Sequence, residues 1–578
     1  MLHRLLEQRL QQTVAALLPD ANLAKILVQP CPDPRFGDYQ TNALIALAKE
    51  RKLNPRQLAA DVTGKLDVSE WCEPVEIAEP GFLNFRLKTS ALARVLQVAA
   101  RGGRLFFQPT AQPRTIVIDF SSPNVAKPMH VGHIRSTILG DCLARTLRLL
   151  GHRVVTDNHI GDWGTQFGKL ILGWKEHLDE HALQIDPIGE LERLYKLVNA
   201  ACEADPKVLE RARVELVKLQ QGDFENESIW HKMTFFSQIQ FAFVYKRLGV
   251  AFDQTLGESF YNSRLKAVVQ ELRDANIARE SEGAIVVFFD DIPELKAHPA
   301  LILKTDGAAN YTTTDLATLA YRMETWRPDE IVYVTDGRQQ LHFKQLFAIF
   351  RRWKPQASVT LAHAWFGSIL GEDGKPFRTR SGDTIRLTDL LDEAEERAFQ
   401  VVTEKNPEVG ESRRREIARI VGVGAIKYAD LLPNRQSDYV FSWEKMLSLS
   451  GNTAPYLQYA YTRIRSIFRK GEVPQQTGPA SPEVANDLPL STPEEIRLAK
   501  HLLNYGLVLE AVAEEYRPNY LCNYLYDLAG LFARFYEACP VLKAAEPERA
   551  ARLVLCELTG SVLKQGLEVL GIETTEQM

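Results

Sequence analysis

Long apolar runs are missing from this 578-residue chain. None approaches the roughly 18 residues that a membrane-spanning helix requires, so no membrane partner is expected. The N-terminal stretch MLHRLLEQRLQQTVAALLPD has apolar residues at helical spacing. It lacks the basic start, apolar middle and small-residue cleavage site of a secretory signal. Cysteines are few and scattered: Cys31, Cys72, Cys142, Cys202, Cys522, Cys539 and Cys556. No two form a CxxC pair, which argues against a zinc knuckle, and an odd, dispersed set fits reduced thiols in a cytoplasm. Internal repeats and low-complexity tails are absent too. So is an excess of positive charge: 69 Lys and Arg stand against 74 Asp and Glu, a net of −5. That argues against broad, non-specific nucleic-acid binding. A large RNA ligand on local basic patches stays open, because only the contact face must be positive.

What is present divides along the chain. The length allows about three or four domains with proper cores. Residues 1–108 read as a separate α+β module. In LNPRQLAADVTGKL, Asn54 is a helix N-cap and Pro55 the first helical residue. VEIAEPGFLNFRL reads as two short strands around Pro80 and Gly81. The Gly-, Pro- and Gln-rich stretch 101–114 marks a boundary. Beyond it, RTIVIDF is a β-branched run of the kind buried on both faces of a parallel sheet. VGHIRSTILGDCLARTLRLLG follows with Ile134, Ile138, Leu143, Leu147 and Leu150 at helical spacing and Gly151 as a stop. HRVVTDNHIGDWG returns to a strand, completing a strand–helix–strand unit. Residues from about 170 to 248 read as a charged helical insertion, and AIVVFFDD, ALILKTDG and EIVYVTDG as further strands. From about 390 onward amphipathic helices take over. One loop, 471–491, interrupts them, and helix resumes at TPEE, where Thr492 and Glu495 make a capping box.

The segment FSSPNVAKPMHVGHIRSTILGD places His130 and His133 three residues apart, after a strand and at a helix start. In open α/β sheets ligands bind at the carboxyl ends of strands, and helix N-termini suit phosphate. Imidazoles there add donors, and Gly132 leaves room for a flat ring against the backbone. This predicts a nucleotide site. Two other readings stay open on spacing alone: a partial metal site lacking an evident third ligand, or surface residues at a helix start.

The wider stretch SSPNVAKPMHVGHIRSTILGD resembles the His-Ile-Gly-His region of class I aminoacyl-tRNA synthetases. Ser-Pro-Asn before it and Arg-Ser after it resemble the arginyl-tRNA synthetase family. FGDYQTNALIALAK, GDWGTQFG, YTTTDLA, GRQQLHFKQLF and GNTAPYLQYAYTRIRSI continue the resemblance in the family's order over nearly the whole chain. It implies a multidomain α/β chain. A Rossmann-like parallel-sheet catalytic core (109–390) would carry a helical insertion. An N-terminal module (1–108) would meet the tRNA corner at the D-loop, and a C-terminal all-α helical-bundle domain (391–578) would bind the anticodon.

The implied reaction joins L-arginine to tRNA(Arg) in two steps through an arginyl-adenylate, with ATP as substrate, Mg2+ alongside, and no zinc or organic cofactor. The resemblance implies ATP binding by Pro123, Lys127, His130, Val131, Gly132, His133, Arg378 and Arg380, with Lys127, His130, His133 and Arg380 serving catalysis. The family's second motif is altered: GKPFRTRSGDT has no lysine where its second one belongs, and Lys127 is expected to substitute. A guanidinium is best held by carboxylates in bidentate geometry. The resemblance gives that role to Asp315 and Glu258, with Tyr311 packed on the cation. Ser122, Asn124, Gln339 and Asp119 would take the α-groups. Family members often carry Glu at position 119, and Asp119 reads equally as a strand-end cap. Asp315 reads also as a helix cap. Asn84, Phe85, Tyr456, Tyr459 and Arg463 are candidates for tRNA contact, with Phe85 and the tyrosines also readable as core. The expected partners are tRNA(Arg), L-arginine and ATP, with no DNA, and the expected state is a cytoplasmic monomer. The competing reading is a non-catalytic tRNA-binding paralogue.

Overall fold

A computed structural model describes residues 1–102, 104–377, 384–472 and 488–578. Its centre is a five-stranded parallel sheet: β1 (Thr115–Asp119), β2 (Arg153–Asn158), β3 (Gln254–Thr255), β4 (Glu330–Tyr333) and β5 (Thr360–His363). The spatial order is β5-β4-β1-β2-β3, and every pairing is parallel. The chain runs outward from β1 to β3, then returns to the other side of β1, which makes the carboxyl end of β1 a topological switch point.

The β-branched run of β1 is buried on both faces. Ile116 and Ile118 belong to the large core that includes helix α1 (Val131–Leu149). Val117, one residue out of phase, belongs to a second core on the opposite face. There it packs with Leu316 and Leu319 of helix α2 (Tyr311–Thr325) and Phe343 and Leu346 of helix α3 (Gln340–Trp353).

The helical insertion between β2 and β3 runs from Gln166 to Leu248 in five helices. AIVVFFDD and ALILKTDG do not join the central sheet. Their strands, Ala284–Val287 and Ala300–Leu303, pair antiparallel in a separate three-stranded sheet with Arg279–Ser281. The N-terminal module is a four-stranded antiparallel sheet with helices. Asn54 caps its helix by accepting from the Arg56 and Gln57 amides. The C-terminal region is helical and carries the Thr492/Glu495 box. It grips the N-terminal module through Lys500–Asp38 and Arg4–Glu510, each 2.7 Å. One short strand persists after residue 390: Tyr439–Val440 pairs with Ile369–Leu370. Among the described residues no helix is long and apolar enough to cross a membrane.

One buried group ties the carboxyl ends of β1 and β2 together. Arg322, on α2, is fully buried. One of its terminal nitrogens donates to Asp119 at 2.6 Å and to Asp157 at 2.8 Å, and its Nε donates to Asp157 at 3.2 Å. Its guanidinium also lies over the Tyr333 ring of β4, 5.4 Å from the centroid. Asp119 and Asp157 are neighbours across the β1–β2 ladder, so without Arg322 two buried carboxylates would face each other. Arg322→Met is expected to destabilise the protein by about 3–5 kcal/mol, the usual consequence of stripping one partner from a buried charge cluster. Arg322→Lys should recover little, because an ammonium lacks the fork that reaches both acids. Thermal unfolding of the three proteins checks both outcomes.

Candidate active site

Helix α1 begins at Val131, with His130 as its N-cap. The Gly132 amide donates to His130 Nδ1 at 3.1 Å, and the His130 amide donates to His133 Nδ1 at 3.1 Å. The two imidazoles therefore form a reciprocal capping box, a job usually done by Ser or Thr with Glu. A backbone N–H can only donate, so each Nδ1 must carry a lone pair. Each neutral ring then holds its proton on Nε2. Burial pushes His133 down to about 3, and burial followed by the charge of Lys127 lowers His130. At neutral pH both rings are uncharged donors, their centroids 4.0 Å apart. Gly132 has a different reason from the one its position predicts. A Cβ there would lie 2.8 Å from Cε1 of His130, so the flat ring that needs the space is the cap's own.

The loop that delivers these histidines is strained. Ser121, Ser122 and Ala126 have φ of 74°, 48° and 60°, conformations that cost non-glycine residues about 1–3 kcal/mol each. Neighbouring elements hold it in place. The amides of Ser121, Ser122 and Ala126 donate to Ser136 Oγ (2.8 Å), Asn158 Oδ1 (3.1 Å) and Ser237 Oγ (2.9 Å). The Val125 amide donates to the Gly161 carbonyl and the Gly161 amide to the Pro123 carbonyl, each at 3.0 Å. Pro123 is thereby buried and engaged through its backbone, while Asn124 stays exposed. A Cβ on Gly161 would come within 2.1 Å of Asn124 Oδ1, so only glycine admits that side chain.

Arg378 and Arg380 lie outside the described residues. The chain after them is clasped to the histidine loop: the Val131 amide donates to the Ile385 carbonyl at 3.0 Å, and the Leu387 amide to the Met129 carbonyl at 2.9 Å. Lys127 extends over the Tyr195 ring of the insertion, 5.0 Å from its centroid.

Beyond β2, His159 and the following loop lie beside a group of acids. Asp315 sits in the second turn of α2, whose N-cap is Asn310, so it is not a cap. Its Oδ2 accepts from His342 Nε2 at 2.6 Å, and its Oδ1 is 4.0 Å from His159 Nε2. Glu258 lies in the same electrostatic neighbourhood. Burial raises its carboxyl to about 7; His159 opposes the rise, and Asp315 and Asp162 add to it. Asp162 is raised by burial, against hydrogen bonds from Ser259. Tyr311, 59% exposed, packs edge-on to His342 at 4.7 Å. Gln339 is exposed in the turn just before α3, three residues ahead of His342.

Several expected contacts need correction. Asp119 is committed elsewhere: Oδ2 to Arg322 and Oδ1 to the Ser122 hydroxyl, which donates at 3.1 Å. It reaches the site only through Ser122. Phe85 is fully buried on its strand, which closes it to an RNA surface, and Asn84 is 5% exposed beside it. Tyr459 and Arg463 are exposed, and Arg463 lies over Tyr536 at 4.9 Å. Tyr456 is half-buried against Tyr526. Arg465, two residues after Arg463, points inward to Glu557 and Glu576. Sequence reasoning missed His159, His342 and Arg322. A signal existed for Arg322: it follows Asp315 by seven residues, two turns along one helix face.

Three family models match in order: “Arginyl tRNA synthetase N terminal domain” over residues 4–87, “tRNA synthetases class I (R), catalytic domain” over 95–443, and “DALR anticodon binding domain” over 457–578. The chain is 45% identical over 581 residues to the arginine–tRNA ligase of Escherichia coli (strain K12), covering 99% of each. It is 46% identical over 551 residues to that of Shigella sonnei (strain Ss046), covering 94% of each. Among solved structures, the arginyl-tRNA synthetase of Thermus thermophilus superposes with a TM-score of 0.84 at 27% identity over 100% of both chains. That of Plasmodium falciparum gives 0.79 at 27% identity, over 100% of this chain and 99% of the other. The chain belongs to the arginyl-tRNA synthetases of class I, ATP-dependent ligases that make arginyl-adenylate and pass the arginyl group to the terminal adenosine of tRNA(Arg).

Proposed function

We propose that the imidazole pair of His130 and His133, with Lys127, holds the phosphates of ATP, and that Asp315 and Glu258 hold the guanidinium of arginine. The observation that carries this reading is the meeting of two acids from separate segments beside His159, one strand over from the histidine loop. In the first step an arginine carboxylate oxygen bonds to the α-phosphorus and the bond to pyrophosphate breaks. Negative charge then grows on the leaving phosphates, where two Nε2–H donors and the α1 N-terminus meet it. The rings stay neutral donors and no proton moves through them. In the second step a ribose hydroxyl of the tRNA attacks the acyl carbon and AMP leaves. The exposed Asn124 and Gln339, with Ser122, hold the amino acid's α-groups in line, and Tyr311 closes over the side chain. Pro123, Val131 and Gly132 form the nucleotide's backbone wall, and the family resemblance adds Arg378 and Arg380 to the ATP-binding cations. Mg2+ travels on the triphosphate as its counter-ion.

Selection against lysine follows from donor geometry. One ammonium cannot satisfy two separated carboxylates, so an acceptor would be left unpaired in a half-buried site.

We infer further that residues 1–108 meet the tRNA corner, 109–390 carry the chemistry with an insertion at 170–248, and 391–578 read the anticodon, in a cytoplasmic monomer. A cavity of about 400 Å³ beside Tyr459, lined by Val402, Val421, Leu447 and Met578, supports base reading at that end. Apolar walls and one exposed ring suit a splayed base.

Three outcomes are expected. His133→Ala should lower kcat for aminoacylation by about 10²–10³-fold and leave tRNA affinity unchanged in a filter-binding assay. Tyr459→Ala should raise the KM for tRNA roughly tenfold, the worth of one stacked base, with the KM for arginine unchanged. The third concerns pH. Burial raises the Glu258 carboxyl to about 7. Protonation removes its negative charge, so arginine binds less well as pH falls. The KM for arginine should rise about tenfold from pH 8 to pH 6, and Glu258→Gln should flatten that slope.

A further inference from the structure

We infer that His159 is a further arginine-binding residue, and that His342 is the positioning residue that turns the Asp315 carboxylate toward the substrate. The inference rests on the reading of Asp315 and Glu258 given above and adds two groups to that pocket.

The argument for His159 begins at its far nitrogen. Nδ1 lies 3.1 Å from the Leu256 carbonyl oxygen. A carbonyl only accepts, so Nδ1 carries the proton, and in the neutral ring Nε2 holds a lone pair. That lone pair faces Asp315 Oδ1 across 4.0 Å, too far for a hydrogen bond. A neutral Nε2 and Asp315 Oδ1 therefore stand side by side as acceptors, 4.0 Å apart. A guanidinium offers five donors in a fixed fork and can meet both. His342 takes one lone pair of Asp315 Oδ2 and leaves Oδ1 to the substrate. The imidazole adds an acceptor beside it. His159 is held for this task by Tyr261, whose ring packs against it at 5.5 Å.

His342 acts one step back. Its Nε2–H donates to Asp315 Oδ2 at 2.6 Å, and Tyr311 and Phe343 pack against the ring at 4.7 and 5.1 Å. The bond fixes the rotation of the carboxylate, so that Oδ1 turns toward His159.

The test uses the full-length enzyme with tRNA(Arg) and compares wild type with His159→Ala, His159→Gln, His342→Ala, His342→Gln and Asp315→Asn. Glutamine keeps an acceptor near Nε2 at position 159 and a donor near Nε2 at position 342. Each alanine variant is expected to raise the KM for arginine about tenfold or more, with kcat and the KM values for ATP and tRNA within about twofold. Each glutamine variant should recover most of the loss. If both alanine variants leave the arginine KM unchanged while Asp315→Asn raises it, the inference falls and the acidic pocket stands. If Asp315→Asn also leaves it unchanged, the pocket reading falls first. If alanine and glutamine behave alike, or if all three KM values rise together, the histidines are only structural and the inference is overturned.

Discussion

The ion cluster of Arg322 with Asp119 and Asp157 sets the positions of the groups around it. It fixes the carboxyl ends of two neighbouring strands at one height, and both strands lead directly into site loops. From Asp119 the chain enters the strained serine turn and then the histidines. From Asp157 it reaches His159 within two residues. The third member, Arg322, rides on the helix that also carries Asp315, two turns nearer its start. One buried cation therefore sets the relative heights of the histidine loop, His159 and Asp315. Shifting α2 by one turn would move Asp315 by about 5.4 Å and break the cluster as well.

Charge is kept apart by kind across this site. One side is built from neutral imidazoles held as donors by their own backbone, with a lysine nearby. The other gathers carboxylates, and burial, with Asp315 and Asp162 adding to it, raises the Glu258 carboxyl to about 7. On the proposed reading an anionic substrate is drawn to the first side and a cationic one to the second.

Much of the fold can be read from the sequence where a pattern is local. The β-branched run of β1, the helical spacing of α1 and the Asn54 and Thr492 caps all state their structure within a few residues. Sheet order is not local. β3 is two residues long, and the strands at Ala284 and Ala300 look like the central ones yet pair with each other. The site divides in the same way. His130, His133 and Asp315 lie in motif-bearing stretches, and the family resemblance reaches Glu258 outside them. His159 lies at the edge of such a stretch, and Arg322 in an ordinary amphipathic helix, so their roles follow only from what folding brings against them. Phe85 and Arg465 make the opposite point: aromatic and cationic side chains with binding chemistry that the fold turns inward.

The serine turn has a consequence for how this region tolerates change. Ser121 keeps its left-handed backbone while its hydroxyl bonds those of Thr137 and Tyr245, each at 2.8 Å. Glycine there would relax the main chain yet cut its link to a catalytic-core helix and an insertion helix. Alanine would keep the backbone tension and lose the link as well. The residue most comfortable for the peptide geometry is therefore not the one the surroundings want, and substitution at this corner trades ease of folding against the fixed aim of the two histidines.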